Sequence, residues 1–141
     1  MSKRHLLAIF ALFFVAALPW DAAAKDYHFI SPEALRTRLQ ESSPMIVIDI
    51  CEAEQFAKGH IKGAIETNAY PVKTDAEKSR LAEHLTEIKS SGDDVIIVCP
   101  RGGGGAKRTY DFYKENGVAE QRLLILEKGQ NGWPYETEKK Q

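Results

Sequence analysis

The sequence predicts a small α/β domain built on a mainly parallel central sheet with helices on both faces. Three observations predict it. Short apolar runs at residues 45–50, 95–98 and 123–126 carry no polar alternation, as strands buried on both faces do. Stretches with helical spacing and recognisable start signals lie between them. No segment repeats, so strands and helices alternate once through a chain long enough for one domain.

Taken in order, residues 1–24 are expected to be a signal peptide. Lys3 and Arg4 make a short basic start, and residues 6–20 are almost wholly apolar. Fifteen residues are few for a membrane span, and Ala22-Ala23-Ala24 offers a cleavage site, so the mature chain is expected to begin at Lys25. That implies a periplasmic or secreted protein with no membrane association after cleavage; an uncleaved anchor is the alternative. The domain is expected over residues 25–135, and the polar tail, 136–141, is expected to fray.

Ser31-Pro32-Glu33 is a helix start, with serine as cap, proline at the first position and an acid in the first turn; Leu35 and Leu39 then share a face. Residues 45–50 are a strand, and residues 52–57 suit a short helix. Gly59 and Gly63 bracket a turn before a short strand at 64–67. Thr74 and Glu77 form a capping box, opening a helix with Leu81, Leu85 and Ile88 on one stripe. A loop at 90–94 leads into strand 95–98. In the next helix, beginning near Ala106, Tyr110 and Tyr113 fall on the inward face and Phe112 at its edge; Gly117 ends it. Leu123–Leu126 is the last strand, and Gly129 and Gly132 bracket a turn.

Removing residues 1–24 takes away two bases and one acid, leaving 17 bases and 19 acids, a formal charge of −2. That near-balance argues against a nucleic-acid partner, and no long basic tract suits anionic lipid. The two cysteines, Cys51 and Cys99, are no disulfide framework, and no Cys/His pattern has zinc spacing, so no metal site is expected.

The chemistry concentrates at Cys99. Strand 95–98 delivers this thiol to Pro100-Arg101, the glycines Gly102, Gly103, Gly104 and Gly105, and then a helix start at Ala106-Lys107-Arg108. Sites in parallel sheets lie beyond the carboxyl ends of the strands, where Asp49 also sits. Backbone N–H groups of a glycine turn and a helix N-terminus stabilise a thiolate, a persulfide or a bound oxyanion. Phosphate patterns fit poorly. Ala106 stands before Lys107 where a nucleotide loop needs glycine, and Arg108 replaces the third glycine of a dinucleotide fingerprint. A cysteine phosphatase loop needs arginine six residues after the cysteine. That position is Gly105, which argues against phosphomonoesters unless Arg101 or Arg108 reaches in.

The chain resembles the rhodanese-like sulfurtransferases from about Ser31 to Trp133. Residues 48–51 (Ile-Asp-Ile-Cys) stand where the family has a strand ending Asp-Val-Arg. Residues 55–65, with Gly59-His60-Ile61 and Gly63-Ala64, resemble its Glu-Phe-x-x-Gly-His-Ile-x-Gly-Ala signature, with Gln55 for the glutamate. Cys99 falls on the catalytic cysteine, and residues 126–133 resemble the closing Leu-x-Gly-Gly-x-x-x-Trp. The resemblance implies transfer of sulfane sulfur from an anionic donor such as thiosulfate to a thiol or cyanide, through a Cys99 persulfide, with no metal or organic cofactor. A protein acceptor is a further possibility.

Two departures stand out. Family loops usually carry a base four or five residues after the cysteine; here those positions are Gly103 and Gly104, and the loop is expected to be one residue longer and open to a different or bulkier donor. The available cations are Arg101, first choice for an anionic donor, Lys107 and Arg108. The second departure is Cys51, which reads as a small packing residue or as a resolving thiol for Cys99. Asp49 reads as a strand-end turn residue or an orienter of backbone donors, His60 as a turn hydrogen-bonder rather than a base, and Trp133 as packing. Two other readings stay open: a non-enzymatic sulfane-sulfur carrier, and a thiol–disulfide protein using Cys51 and Cys99.

Overall fold

A computed structural model describes residues 25–141, so the expected signal peptide lies outside the described residues. In chain order the elements are β1 (Phe29–Ile30), α1 (Pro32–Gln40), β2 (Met45–Asp49), α2 (Ala53–Lys58) and β3 (Ile65–Glu66). Then follow α3 (Asp75–Ala82), α4 (Leu85–Ser91), β4 (Asp94–Val98), α5 (Gly104–Glu115) and β5 (Leu123–Leu126). The strands form one sheet in the order β1-β5-β4-β2-β3, with every pairing parallel. Because side chains alternate along each strand, the sheet builds two apolar layers. Ile46, Ile48, Val95, Ile97, Leu123 and Ile125 point toward α3, α4 and α5; Val47, Ile96, Val98 and Leu126 point toward α1.

The start signals act as the sequence suggests. Ser31 Oγ accepts the Ala34 N–H at 3.1 Å, and Pro32 opens α1. Thr74 Oγ1 accepts the Glu77 N–H at 3.2 Å while a Glu77 carboxylate oxygen accepts the Thr74 N–H at 3.0 Å. Thr74→Ala removes an acceptor for an exposed helix end, so urea unfolding should show a loss of about 1 kcal/mol. Ala106, Tyr110 and Tyr113 are buried on the inner face of α5, Phe112 packs at its edge, and Gly117 takes a left-handed φ of 92° beyond its end.

The structure departs from the sequence reading in five places. Phe29–Ile30 forms an edge strand that the sequence did not suggest; it is too short to show a period and exists through pairing with β5. The helix expected from Thr74 through Ile88 is broken at Glu83–His84, where the His84 N–H turns back to Leu81 O. Leu81 and Ile88 both remain buried, and the Tyr113 hydroxyl donates to the Leu81 carbonyl at 3.3 Å. The expected loop at 90–94 is shorter, because α4 runs through Ser91. Arg122 donates to Ile88 O and Asp93 O and closes that turn. Helix α5 begins two residues early, so Gly104 and Gly105 are its first turn. Finally, the tail does not fray: Glu138 exchanges backbone hydrogen bonds with His60 at 2.8 and 2.9 Å, and Lys140 Nζ lies 2.6 Å from Glu66.

Candidate active site

Neighbouring strands β2 and β4 put Asp49 opposite Val98, so the chain leaves the sheet at Ile50 and at Cys99 along one edge. Ile50 N–H donates to Val98 O at 2.9 Å and keeps the two ends together one step beyond the ladder. Cys99 is 2 % exposed, at the base of a cavity of about 40 Å³ lined by Tyr70, Arg101, Gly103, Gly104 and Gly105.

The Gly102 N–H donates to Cys99 Sγ at 2.9 Å. Helix α5 then starts with no side chain capping it, since its cap residue is Gly103. The first intrahelical bond to reach back is Lys107 N–H to Gly103 O at 3.1 Å, so the N–H groups of Gly104, Gly105 and Ala106 have no helical partner. This positive helix end faces the cavity, where it suits a bound anion. Ala106 itself is buried in the core below.

The space that bare glycines were expected to leave open is filled from elsewhere. A Cβ at Gly105 would lie 2.9 Å from the Tyr70 ring, and a Cβ at Gly104 would lie 2.9 Å from the Arg108 guanidinium. Arg108 is held there by donating from Nε to Pro71 O at 2.9 Å. The cavity is therefore small, about 40 Å³, rather than the wider space expected. Arg101 is exposed at its rim, whereas Lys107 sits over the Tyr27 ring, 5.4 Å from its centroid, and does not line the cavity.

The segment after β5 braces the loop from below. Gln130 N–H donates to Cys99 O at 2.7 Å and Asn131 N–H to Pro100 O at 3.0 Å. Gln55 Nε2 in turn donates to Asn131 Oδ1 at 2.9 Å, which ties α2 to the brace.

Asp49 is fully buried. Its Oδ1 accepts the Cys51 N–H at 2.8 Å and its Oδ2 has no partner. Burial pushes its carboxyl up from the ordinary 3.8, only partly offset by the Cys51 hydrogen bonds. Cys51 is also fully buried; burial first, then the Asp49 carboxylate, push its thiol up. Both cysteines are free. A thiol held protonated in this way is a poor attacking group, which favours the packing reading of Cys51 over the resolving one.

A raised folded-state pKa means that the folded protein prefers protonated Asp49. Its contribution to stability is therefore greatest below pH 3.8 and declines as pH rises toward the folded value. Asp49→Asn keeps an acceptor for the Cys51 N–H and removes the charge. Calorimetry from pH 4 to 7 should show the variant gaining on the native protein as pH rises; a constant difference would refute the account.

His60 is packed into its own helix end and the tail. Its ring stacks on Phe56 at 3.8 Å, Nδ1 lies 2.9 Å from Phe56 O, and its backbone pairs with the tail. Trp133 packs against the α1 layer and donates to Glu136 O at 3.1 Å. Tyr70 and Gln130 are the site residues that sequence reasoning missed. The available signal for Tyr70 was its place just past β3, at the same carboxyl edge as Cys99.

Residues 31–135 match the family model described as Rhodanese-like domain. The uncharacterized protein YibN of Escherichia coli K12 is 26 % identical over 101 residues, 72 % of this chain. That match covers 64 % of YibN, so the chain spans less than two thirds of this curated relative's length. The crystal structure of a rhodanese-like domain protein from Staphylococcus aureus superposes with a TM-score of 0.61 at 23 % identity, covering 81 % of this chain and 99 % of that one. A yeast protein tyrosine phosphatase of the rhodanese family gives 0.62 at 16 % identity, covering 79 % and 86 %. At these identities the two structures show a shared fold.

Proposed function

The chain belongs to the rhodanese-like domain family, and from that membership we propose that it is a sulfurtransferase working through a persulfide on Cys99. Membership supports sulfur transfer or a related activity; the particular reaction is inferred from the site. The observation that carries it is the Cys99 sulfur at the base of a 40 Å³ cavity, hydrogen-bonded by the Gly102 N–H and facing an uncapped helix end.

In the first step the Cys99 thiolate attacks the outer sulfur of a small anionic donor such as thiosulfate. A Cys99–S bond forms, the donor's S–S bond breaks, and sulfite leaves with the electron pair. Backbone donors and Arg101 balance the donor's charge. In the second step an acceptor thiolate, or cyanide in an assay, attacks the outer persulfide sulfur and restores the thiolate. Charge returns to the same cradle each time, so the donors need no rearrangement between steps. A phosphatase reading is less well supported. Gly105 stands where the phosphate-clamping arginine belongs, and Tyr70 packs over it.

We place the activity outside the cytoplasm, on the signal-peptide reading of residues 1–24. The test is incubation of the reduced protein with thiosulfate, followed by intact mass and a thiocyanate assay with cyanide. One added sulfur of about 32 Da on Cys99 with turnover supports the enzyme. The adduct without turnover supports the carrier reading, and no adduct overturns both.

A further inference from the structure

Gly105 lies in the first turn of α5 and is not among the glycines with a left-handed φ. In a helix, glycine is disfavoured relative to alanine, so the backbone does not call for it there. The neighbours do. A Cβ at Gly105 would lie 2.9 and 3.0 Å from Cδ2 and Cε2 of Tyr70, and 3.2 Å from Ile50 Cδ1. A helix residue without a side chain is the seat of the Tyr70 ring.

The backbone holds the ring in that seat from both sides. The Tyr70 N–H donates to Ile50 O at 2.9 Å, which ties it to the strand end beside Cys99. Pro71 O, one residue on, accepts the Arg108 Nε–H at 2.9 Å, which ties the same segment to α5. Tyr70 is half-buried against the core and lines the cavity with Cys99, Arg101 and the glycines. Arg101 is long and exposed, and Gly103, Gly104 and Gly105 have no side chain, so Tyr70 gives the cavity its rigid wall. About 40 Å³ is room for little more than a single sulfur atom. The group that carries a reacting sulfur must therefore stand at the mouth.

We propose that Tyr70 is the specificity-determining residue of this site: its ring sets the size of the group that can accompany the transferred sulfur, and so selects donors that carry it on a bare sulfonate over donors that carry it on a bulky organic sulfonyl group. The proposal rests on the sulfurtransferase reading of Cys99. Both donor classes undergo the same step. The Cys99 thiolate attacks the outer sulfur, a new S–S bond forms on Cys99, and the donor's S–S bond breaks. Its electron pair leaves with sulfite from thiosulfate, or with a sulfinate from an organic thiosulfonate. The two differ in the bulk of what leaves and not in electron count, so a wall at the mouth can tell them apart.

The test compares thiosulfate, methanethiosulfonate and benzenethiosulfonate as donors. The last two carry the same charge and differ in bulk. Y70A should raise kcat/KM for benzenethiosulfonate relative to methanethiosulfonate and thiosulfate by roughly tenfold. Y70L should shift the ratio in the same direction by less, and Y70F, which keeps the ring, should leave it at the native value. A ratio that stays put in Y70A and Y70L, or that rises as far in Y70F, would overturn the proposal. A stability cycle tests the seat itself. G105A should lower the thermal midpoint by about 5 °C in the native background and by less than half of that in Y70A; equal losses would mean that the ring does not occupy the place of that Cβ. If none of the donors loads Cys99 in any variant, the sulfurtransferase reading fails by itself. Alkylation of Cys99 by iodoacetamide and by N-phenyl iodoacetamide, located by peptide mass, then decides for Tyr70. The rate ratio should move toward the bulkier reagent in Y70A, and no movement would overturn its role.

Discussion

Cys99→Ser is expected to abolish sulfur transfer, by roughly 10⁴-fold or more, and to eliminate the added sulfur in the intact mass. The physical reason is specific to sulfur. A serine hydroxyl is not ionised at neutral pH and forms no stable bond to a sulfane sulfur, so neither half of the double displacement can proceed. The substitution is otherwise mild. Serine is close to cysteine in size, and its Oγ can accept the Gly102 N–H that now reaches Sγ at 2.9 Å. Thermal unfolding should therefore move little while activity disappears. Full activity in this variant would remove Cys99 from the mechanism.

Gly129→Ala is expected to damage the fold itself. Gly129 has φ of 60°, a region that a residue with a Cβ enters at a cost of about 1–2 kcal/mol. A Cβ there would also lie 2.0 Å from Cys99 O and 2.7 Å from the backbone nitrogens of Arg101 and Gly102. These are backbone atoms of the Cys99 loop, and they cannot swing aside as a side chain would. Either the loop moves, breaking the Gln130 bond to Cys99 O and displacing the Gly102 donor, or the domain unfolds. A loss of about 3 kcal/mol or more is expected, read as a fall in the urea midpoint, with activity lost alongside stability. Unchanged stability would mean that Cys99 and Gly129 are not packed as described.

How much of this was legible in the sequence depends on where each element gets its identity. The three inner strands were readable because their aliphatic runs are buried on both faces, and a buried run has no polar alternation to hide in. Helices α1 and α3 announced themselves through Ser31-Pro32 and the Thr74–Glu77 box, since capping is a local interaction. The break at Glu83–His84 was not readable, because Leu81, Leu85 and Ile88 continue one apolar stripe across it and only the bond from His84 N–H to Leu81 O marks it. Phe29–Ile30 is a strand only by virtue of β5, some 95 residues away. The docked tail is held largely by backbone bonds between His60 and Glu138, which leave no side-chain signature.

The candidate site divides in the same way. Cys99 and its glycines were visible because residue type and position coincide at a strand end. The occupants of the space around them were not. Tyr70 and Arg108 reach that space from a loop after β3 and from one turn along α5, and their meeting at Gly104 and Gly105 depends on the tertiary fold. Glycines that look like vacancy in a sequence are here the places where other side chains fit.

The order of the strands has a consequence for biosynthesis. Among the described residues β1 is the first strand made and β5 the last, yet β5 is the strand that β1 pairs with. While the chain is still being synthesised, β2, β3 and β4 can assemble, but Phe29–Ile30 has no partner until residue 126 has emerged. The same late segment carries Gln130, which fixes Cys99 O. A nascent or truncated chain ending before Leu123 would thus have Cys99 in place in sequence but unbraced in space. The bracing of Cys99 thus arrives only with the last strand and the turn after it.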